Sequence, residues 1–431
     1  MRIGSCLALL SLVLTLAGCG GDEGGKSRSA TAIGETARTQ LDEGRLLGLL
    51  WPPGGMGDVQ LAKLDPLTLA PKRPRLTLDA QAGVTELSPD GHTLALAAGE
   101  APQIEFLDLE RMRSLGTIDL GTEGYVSRLS WRPEGMLFAA VGQSSIVLVH
   151  PRARQVVETR RVDGLLLSDI QAIPAGMLAL VGPSVGIGQL IAVVFGGKGT
   201  SSVPLRGITG GSKTEAGDDE ADFRVTENIP GLAVDPTGRR ALVVPAGGQV
   251  AEVSLDNLRV TYHSLSQPVS LLERLHNWLE PVAEAKMIEG PIRQALWMSS
   301  GLVAVTGGDH TASDEQEATA DPAGLSLIDT SDWSVRTINE NVNWVQVAGE
   351  RLLAFEPGCA GDQESYGLVA YDLKGSEVFD LCRDEGFAPQ IVGRYAYLGF
   401  NDNTRFEIVD LTNGEVIARP STAKTTSLLE N

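Results

Sequence analysis

Aromatic residues, cysteine and histidine are scarce in this chain of 431 residues. Aromatics make up 5% of it, and it has 4 cysteines and 5 histidines, the histidines scattered without metal-ligand spacing. Positive charge is also in deficit, because Asp and Glu outnumber Lys and Arg and leave a formal net charge of −20. Such an acidic chain repels nucleic acid and anionic lipid headgroups, so we expect neither as a broad electrostatic partner.

Glycine and aliphatic residues are abundant instead. The chain has 50 glycines and 42% hydrophobic residues. That content is enough for a large core, built either as one repeat fold or as several ordinary domains. High glycine with few aromatics favours tight turns and close-packed strands over long helices.

The N-terminus has the features of a secretion signal. Arg2 is followed by an apolar run, Leu7–Leu16, that is too short to span a bilayer, and then by Leu16-Ala17-Gly18-Cys19. The last four residues resemble the bacterial lipobox, which implies cleavage before Cys19 and diacylation of its thiol. The alternative is an ordinary secretory signal with a chance cysteine. We expect residues 1–18 to be a signal peptide and 19–44 a polar, glycine-rich tether.

The folded part is therefore expected outside the cytoplasm, anchored to the cell envelope by lipid at Cys19. Gly20 follows the cysteine, and its resemblance to known sorting rules favours the outer membrane in an envelope with two membranes. In this oxidising compartment Cys359 and Cys382, the two cysteines of the folded part, are expected to form a disulfide. A metal site would need more ligands than these two thiols supply.

Two turn patterns recur along the chain. A Pro-x-Gly turn between apolar strands occurs at Pro89-Asp90-Gly91, Pro133-Glu134-Gly135, Pro174-Ala175-Gly176 and Pro236-Thr237-Gly238. An aspartate placed to cap a later turn occurs at Asp65, Asp108, Asp256, Asp329, Asp372 and Asp410.

These turns divide the chain into units of about 40 to 50 residues with three or four short strands each, which is the sequence pattern of a β-propeller. The units begin near Leu46, Val84, Val126, Leu166, Ile229, Ile292, Val342 and Pro389. The chain resembles WD40-like and YVTN-type bacterial propellers, and its Ser-Pro-Asp-Gly turn resembles TolB-type repeats. We predict one all-β domain over 45–431 with eight blades, or alternatively seven, of four antiparallel strands. The C-terminal segment would supply the innermost strand that the first unit lacks.

All long insertions fall on one face of such a propeller, because strands alternate in direction from axis to rim. They are Gly207–Asn228, Gln267–Pro291, Gly307–Gly324 and Pro357–Gly367. The same rule places Cys359 and Cys382 at one sheet edge with a single strand between them. Four insertions on one face favour a binding role for that face over simple disorder.

Six residues of these insertions are candidates for a binding face. Leu271, Leu275 and Trp278 recur at helical spacing and predict a short amphipathic helix, which either binds a partner or packs as core across the propeller mouth. Asp309, His310 and Asp314 lie in an acidic stretch that is either solvated or a weak cation site.

Two motifs look catalytic or phosphate-binding, and we reject both. Gly182-Pro183-Ser184-Val185-Gly186 matches the hydrolase-elbow pattern, but no helix is predicted after it. Gly207–Thr214 approaches a phosphate-binding loop but has Ser212 where a glycine belongs.

The sequence thus favours an envelope-anchored scaffold that binds a protein through its loop-rich face, with no metal or cofactor. The alternative is a lactonase-like or other propeller hydrolase, or a small-ligand binder, that uses the axial pocket. Acidic or polar side chains converging at the axis would favour the alternative, and an apolar, aromatic loop face would favour a protein partner.

Replacing Cys19 by Ala should release the protein from membranes, because the acyl chains are the expected hydrophobic anchor. Fractionation of cells followed by a detergent-free carbonate wash measures this. Retention of the Cys19→Ala protein in the washed membranes would contradict the lipobox interpretation.

Overall fold

The computed structural model describes residues 46–52, 58–78, 82–98, 101–132, 134–167, 170–196, 199–216, 223–265, 288–298, 301–313, 316–361, 365–400 and 403–429. Outside them lie the predicted signal peptide, the tether, Cys19, Asp314 and the predicted helix with Leu271, Leu275 and Trp278. Every regular element of the described part is a strand, and no helix there is long and apolar enough to cross a membrane.

The first half of the chain contains seventeen strands. They are β1 (Leu47–Trp51), β2 (Val59–Leu64), β3 (Pro71–Leu78), β4 (Ala82–Leu87), β5 (Thr93–Ala98), β6 (Gln103–Asp108), β7 (Arg113–Asp119), β8 (Val126–Trp131), β9 (Leu137–Val141), β10 (Ser145–His150), β11 (Gln155–Arg161), β12 (Leu165–Leu166), β13 (Gln171–Ile173), β14 (Gly176–Gly182), β15 (Gly186–Gly196), β16 (Gly199–Ala216) and β17 (Phe223–Asn228).

The second half contains eighteen. They are β18 (Gly231–Val234), β19 (Arg240–Val244), β20 (Gln249–Ser254), β21 (Val260–Ser264), β22 (Ile288–Trp297), β23 (Leu302–Ser313), β24 (Gln316–Pro322), β25 (Leu325–Asp329), β26 (Val335–Asn339), β27 (Trp344–Ala348), β28 (Arg351–Pro357), β29 (Tyr366–Asp372), β30 (Glu377–Arg383), β31 (Ala388–Val392), β32 (Tyr395–Phe400), β33 (Arg405–Asp410), β34 (Glu415–Ala418) and β35 (Thr425–Leu429).

These strands form an eight-bladed β-propeller of four-stranded antiparallel blades, as the turn pattern predicts. Blades 2, 3, 5, 7 and 8 each use four consecutive strands. Blades 4 and 6 belong to a larger sheet described below. In blade 1 the innermost strand is β35, which pairs with β1 from Leu47↔Leu429 to Trp51↔Thr425. The C-terminal segment therefore supplies the strand that the first unit lacks, and eight rather than seven is the correct blade number.

Packing between blades explains the residue types of the second strand in each blade. β9 and β14 are buried at every position, because both faces of a blade pack on neighbours. A fully buried alanine on this strand lets adjacent sheets approach closely near the crowded axis. It is Ala95, Ala139, Ala179, Ala241, Ala304, Ala354 or Ala396 in blades 2 to 8.

Glutamines on the innermost strands of three blades join each blade to the next around the axis, a feature that the turn pattern did not predict. Each side-chain amide donates or accepts one hydrogen bond with the backbone of the innermost strand in the next blade. Among the described residues, the inner edge of that strand has no other strand to pair with. The pairs are Gln171 Nε2 to Leu232 O at 3.0 Å, Val345 N to Gln294 Oε1 at 3.0 Å, and Leu428 N to Gln390 Oε1.

The predicted aspartate caps are confirmed in five of the six turns. Backbone N–H groups two or three residues on donate to the carboxylate, as Glu110 and Arg111 do to Asp108 at 3.1 and 2.9 Å. The five are Asp65, Asp108, Asp329, Asp372 and Asp410. In the remaining turn Asn257, next to the predicted Asp256, accepts from the N–H of Arg259 at 3.0 Å. Either side chain serves, because the turn needs only an acceptor oxygen.

These caps predict a loss of stability in acid. Backbone donation by Arg111 lowers the pKa of Asp108, and donation by Ser376 lowers that of Asp372, from an ordinary 3.8. A folded-state pKa below the unfolded one contributes stability that is present above about pH 4 and is lost as the pH falls further. Asp108→Asn with Asp372→Asn should flatten this part of the curve of unfolding free energy against pH, because an amide caps without titrating.

Denaturant unfolding at a series of pH values measures the slope. The control is Asp256→Asn, in the turn that Asn257 already caps, which should leave the slope unchanged. Equal slopes in all three proteins would show that the caps do not carry the acid sensitivity.

Candidate functional site

The two ends of the propeller differ in their connections. At one end, which we call the tight-turn face, strands are joined by short turns such as those between β4 and β5 or between β6 and β7. The opposite end, the insertion face, carries the connections between the second and third strands of each blade and those between successive blades. The described ends of the four predicted insertions lie there, as the strand-direction argument predicts, and 217–222, 266–287, 314–315 and 362–364 lie outside the described residues.

Two of the insertions build a continuous sheet over the insertion face. β16 continues past blade 4 to Ala216, and β17 returns along it. β17 then pairs in parallel with the start of β22, at Val225↔Ile288 and Thr226↔Glu289. Blades 4 and 6 thereby join in one sheet of eleven strands that bridges blade 5. We call this bridge, comprising 209–216, β17, 288–291, 307–313 and β24, the canopy.

Gly207–Asn228 and Gly307–Gly324 are two of the insertions on the face that the sequence predicts to be rich in loops, and within the described residues they contain little irregular loop. Both stretches are mainly β-hairpins, since β16 pairs with β17 and β23 with β24. Strand pairing satisfies backbone groups that a loop would leave to solvent. Gly290 shows how closely the canopy strands pack: its φ is 112°, and a Cβ there would lie 2.0 Å from the carbonyl oxygen of Glu227.

Asp309 and His310 lie next to each other on β23 within the canopy. Neighbouring residues of a strand point to opposite faces. Asp309 pairs with Arg293, whose side chain is 7% exposed, at 2.7 Å between Nη2 and Oδ1. Burial lowers the pKa of His310 and, with the positive charge of Arg293, outweighs the opposing effect of Asp309, so its imidazole is neutral near pH 7.

A canopy carboxyl that the sequence did not single out is Glu227 on β17. Burial raises its pKa above the ordinary glutamate value. No local pattern marks this residue, because its environment is created by the return of β17 onto β22. In the part of the chain that the structure describes, no three His, Cys, Asp or Glu side chains form a group that could hold a metal ion.

An aromatic cluster lies on the insertion face at blades 7 and 8. Trp344 begins β27 and is 38% exposed, and its ring centroid lies 4.5 Å from that of Phe355. Phe387 packs edge-on against Tyr366 at 6.1 Å and Phe400 at 5.7 Å. The cluster therefore has a buried base and one partly exposed indole. Sequence analysis missed it, because four of the rings come from four different strands and Phe387 comes from the connection before β31.

The disulfide between Cys359 and Cys382 is confirmed, with a Cα–Cα distance of 5.8 Å. It crosses one intervening strand, β29, as expected. The crossing point is Gly367, which is paired with Cys382 and whose added Cβ would lie 3.1 Å from the Cβ of Cys359. The bridge fixes the loop after β28 beside Tyr366 of the aromatic cluster.

In the part of the chain that the structure describes, most of the exposed large hydrophobic side chains lie on the insertion face or at the propeller axis. Val185 is 86% exposed and Ile187 37%, both where β14 turns into β15 on the insertion face, and Trp344 belongs to the same face. Val347 lies on the innermost strand β27. The other two, Leu115 and Val157, lie on the outermost strands of blades 2 and 3.

Neither rejected motif has the backbone its chemistry requires. Gly182–Gly186 is the turn between the antiparallel strands β14 and β15, without a helix after it. Gly207–Thr214 lies within strand β16. Both rejections are confirmed.

No protein-family model matches the chain. No curated protein matches it either. Among solved structures it is similar to the dihydro-heme d1 dehydrogenase NirN in complex with DHE, with a TM-score of 0.54 and 14% identity over 90% of this chain and 75% of that one. It is also similar to BamB from Moraxella catarrhalis (TM-score 0.47, 10% identity, 79% and 91% covered) and to apo AztD from Citrobacter koseri (0.47, 12%, 89% and 97%). Similarity at these identities shows the fold alone.

Removal of the disulfide by Cys359→Ala with Cys382→Ala should lower the free energy of unfolding by about 3 kcal/mol, because the bridge closes a loop with a sequence separation of 23. Equilibrium denaturation with and without reductant measures this. Reductant should destabilise the unchanged protein and have no effect on the double variant. Equal stability of the two oxidised proteins would contradict the prediction.

Proposed function

We propose that this protein is a lipid-anchored binding protein of the bacterial cell envelope that captures a protein partner on its insertion face. The observation that carries the proposal is the partly exposed Trp344 above a buried aromatic cluster. Tryptophan in such a setting is the residue type most often found at the energetic centre of protein interfaces. Val185 and Ile187 add further exposed apolar surface on the same face.

Charged residues surround the aromatic cluster in the manner of an interface rim. Arg383, at the end of β30, pairs with Glu407 at 2.7 Å, and Arg405, at the start of β33, pairs with Glu385 at 2.6 Å. The guanidinium of Arg405 also lies 5.8 Å from the ring centroid of Phe400. An apolar centre within a polar rim is the usual anatomy of a protein–protein interface.

The rigidity of the insertion face favours tight capture. Its two longest described insertions are hydrogen-bonded hairpins, and a third is closed by the Cys359–Cys382 bridge. A surface ordered before binding loses less conformational entropy when a partner arrives. The segment with Leu271, Leu275 and Trp278, together with Asp309, His310 and Asp314, belongs to the same proposed binding face. Lipid at Cys19 would keep this face near other envelope proteins.

Trp344→Ala should weaken partner capture by about tenfold or more, the loss expected for a central interface tryptophan. Crosslinking in intact cells followed by pull-down and quantitative mass spectrometry measures the capture. The matched control is Leu115→Ala, which removes a side chain of similar exposure, 37%, on the rim of blade 2. Both variants should keep the β-rich circular dichroism spectrum.

Three outcomes separate the possibilities. Capture lost only with Trp344→Ala supports the aromatic cluster as the centre of recognition. If capture survives Trp344→Ala but is lost when 267–287 is replaced by a short Gly-Ser connection, that segment is the centre. If no specific partner is captured, or capture survives both changes, the insertion-face proposal is wrong and the axial pocket becomes the site to test with small ligands.

A further inference from the structure

A small cavity lies between blades 3 and 4 towards the tight-turn face, on the opposite end of the ring from the aromatic cluster. Its volume is about 30 Å³, enough for roughly two water molecules. Phe138 and Phe195 form part of its apolar wall. Two arginines, Arg132 and Arg160, line it as well, and their side chains are 18% and 15% exposed.

The two arginines differ in how their N–H groups are used. Arg160 directs Nε and Nη2 to the two oxygens of Glu158, and its Nη1 and Nη2 also donate to the carbonyls of Gly199 and Gly196 at 2.8 and 2.9 Å. This bidentate pair neutralises Glu158, and donation from Arg160 lowers the pKa of that carboxyl. Arg160 therefore has little capacity for a further ligand.

In Arg132 only one of the two corresponding nitrogens, Nη2, has a partner in the described part of the chain. Its Nη2 lies 2.5 Å from Oε1 of Glu134, a side chain that is 49% exposed. Its Nε is buried and has no hydrogen-bond partner among the described residues. A buried N–H of a guanidinium without an acceptor is costly, and the Nε–Nη2 edge matches the two oxygens of a carboxylate.

In two other blades, the polar residue just before the proline of the same turn uses its side chain within that turn. Arg132 directly precedes the proline of its turn, where blade 2 has Ser88, blade 4 has the apolar Ile173 and blade 5 has Asp235. Ser88 Oγ accepts the N–H of Thr93 at 2.9 Å, and Asp235 Oδ1 accepts that of Arg240 at 3.0 Å. Those side chains close their own turns. Arg132 does not, although its turn keeps the backbone hydrogen bond from Gly135 N to Arg132 O at 2.9 Å.

We infer that Arg132 is the anchor of a carboxylate-binding site between blades 3 and 4. One carboxylate oxygen accepts from Nε and the other shares Nη2 with Glu134, which is the arrangement that Arg160 and Glu158 already display in the same cavity. The two phenylalanine rings contact a short apolar stem.

Two sources of this chemistry are possible: a free short-chain carboxylate, or an Asp or Glu side chain of a protein. Acetate is the probe for the first, and the peptide acetyl-Gly-Asp-Gly-amide, whose only carboxylate is the side chain, is the probe for the second. Saturation-transfer NMR with the full-length protein at constant ionic strength follows each titration. We expect saturable binding of acetate in the millimolar range, as suits so small a ligand.

Arg132→Gln should weaken acetate binding by about tenfold or more, the effect of losing a charged hydrogen-bond donor. Glu134→Gln should strengthen it, because it removes the competing carboxylate. Arg111→Gln is the control, since the side chain of Arg111 is 67% exposed and pairs with Asp108 in a turn of blade 2. Thermal unfolding of each variant confirms that it is folded.

If acetate and the peptide both bind, and Arg132→Gln weakens both equally, the site accepts acidic side chains as well as free carboxylates. If only acetate binds, the ligand is a free carboxylate. The inference is overturned if acetate binding is absent, does not saturate, or is equally strong in Arg132→Gln. In that case water satisfies Nε. None of these outcomes bears on partner capture at Trp344, so the two proposals fail separately.

Discussion

The pairing of the last strand with the first is the interaction on which the rest of the propeller depends. β35 hydrogen-bonds to β1 along five residues and completes blade 1, although the two strands lie at opposite ends of the folded chain. Tyr397 of blade 8 reinforces the seam by donating its buried hydroxyl to the carbonyl of Pro66 in blade 1 at 3.1 Å. Without this closure blades 1 and 8 would each expose a sheet face made of aliphatic and aromatic side chains, and the ring would have two unpaired ends.

A second link joins blades 4 and 6, so this part of the ring has contacts that the other blades lack within the described residues. The canopy bridges blade 5 on the insertion face. Near the rim, His263 of blade 5 stacks on Trp333 of blade 6 with ring centroids 3.4 Å apart, and its Nε2 donates a hydrogen bond to Oε2 of Glu252 at 2.9 Å. Blade 5 is thus held to its neighbour at two places that regular blade packing does not provide. The partly exposed Trp344 lies in blade 7, just beyond this reinforced part of the ring.

The two faces of the molecule present different chemistry. The insertion face combines apolar and aromatic exposure with ion pairs at blades 7 and 8, which suits a broad protein surface. The tight-turn face is built from repeated capped turns, and one departure from the repeat there is informative because it brings a charged side chain. Arg132 occupies a position where Ser88 and Asp235 close their own turns, and it lines a cavity between blades while its buried Nε has no acceptor among the described residues. A repeat fold makes such a departure visible, because the other blades show what the position does structurally.

The sequence by itself determined the all-β repeat, the capped turns, the closing C-terminal strand and the Cys359–Cys382 bridge, and it narrowed the number of blades to eight or seven. These follow from local turn chemistry and from strand alternation, which act over a few residues and can be counted along the chain. Only the tertiary structure decided that the blades number eight, that two insertions are hairpins of one canopy, that the aromatic cluster at Trp344 exists, that Asp309 pairs with Arg293, and that Nε of Arg132 has no acceptor in the described part of the chain. Each of these depends on contacts between strands far apart in the sequence, whose register and separation no local pattern records.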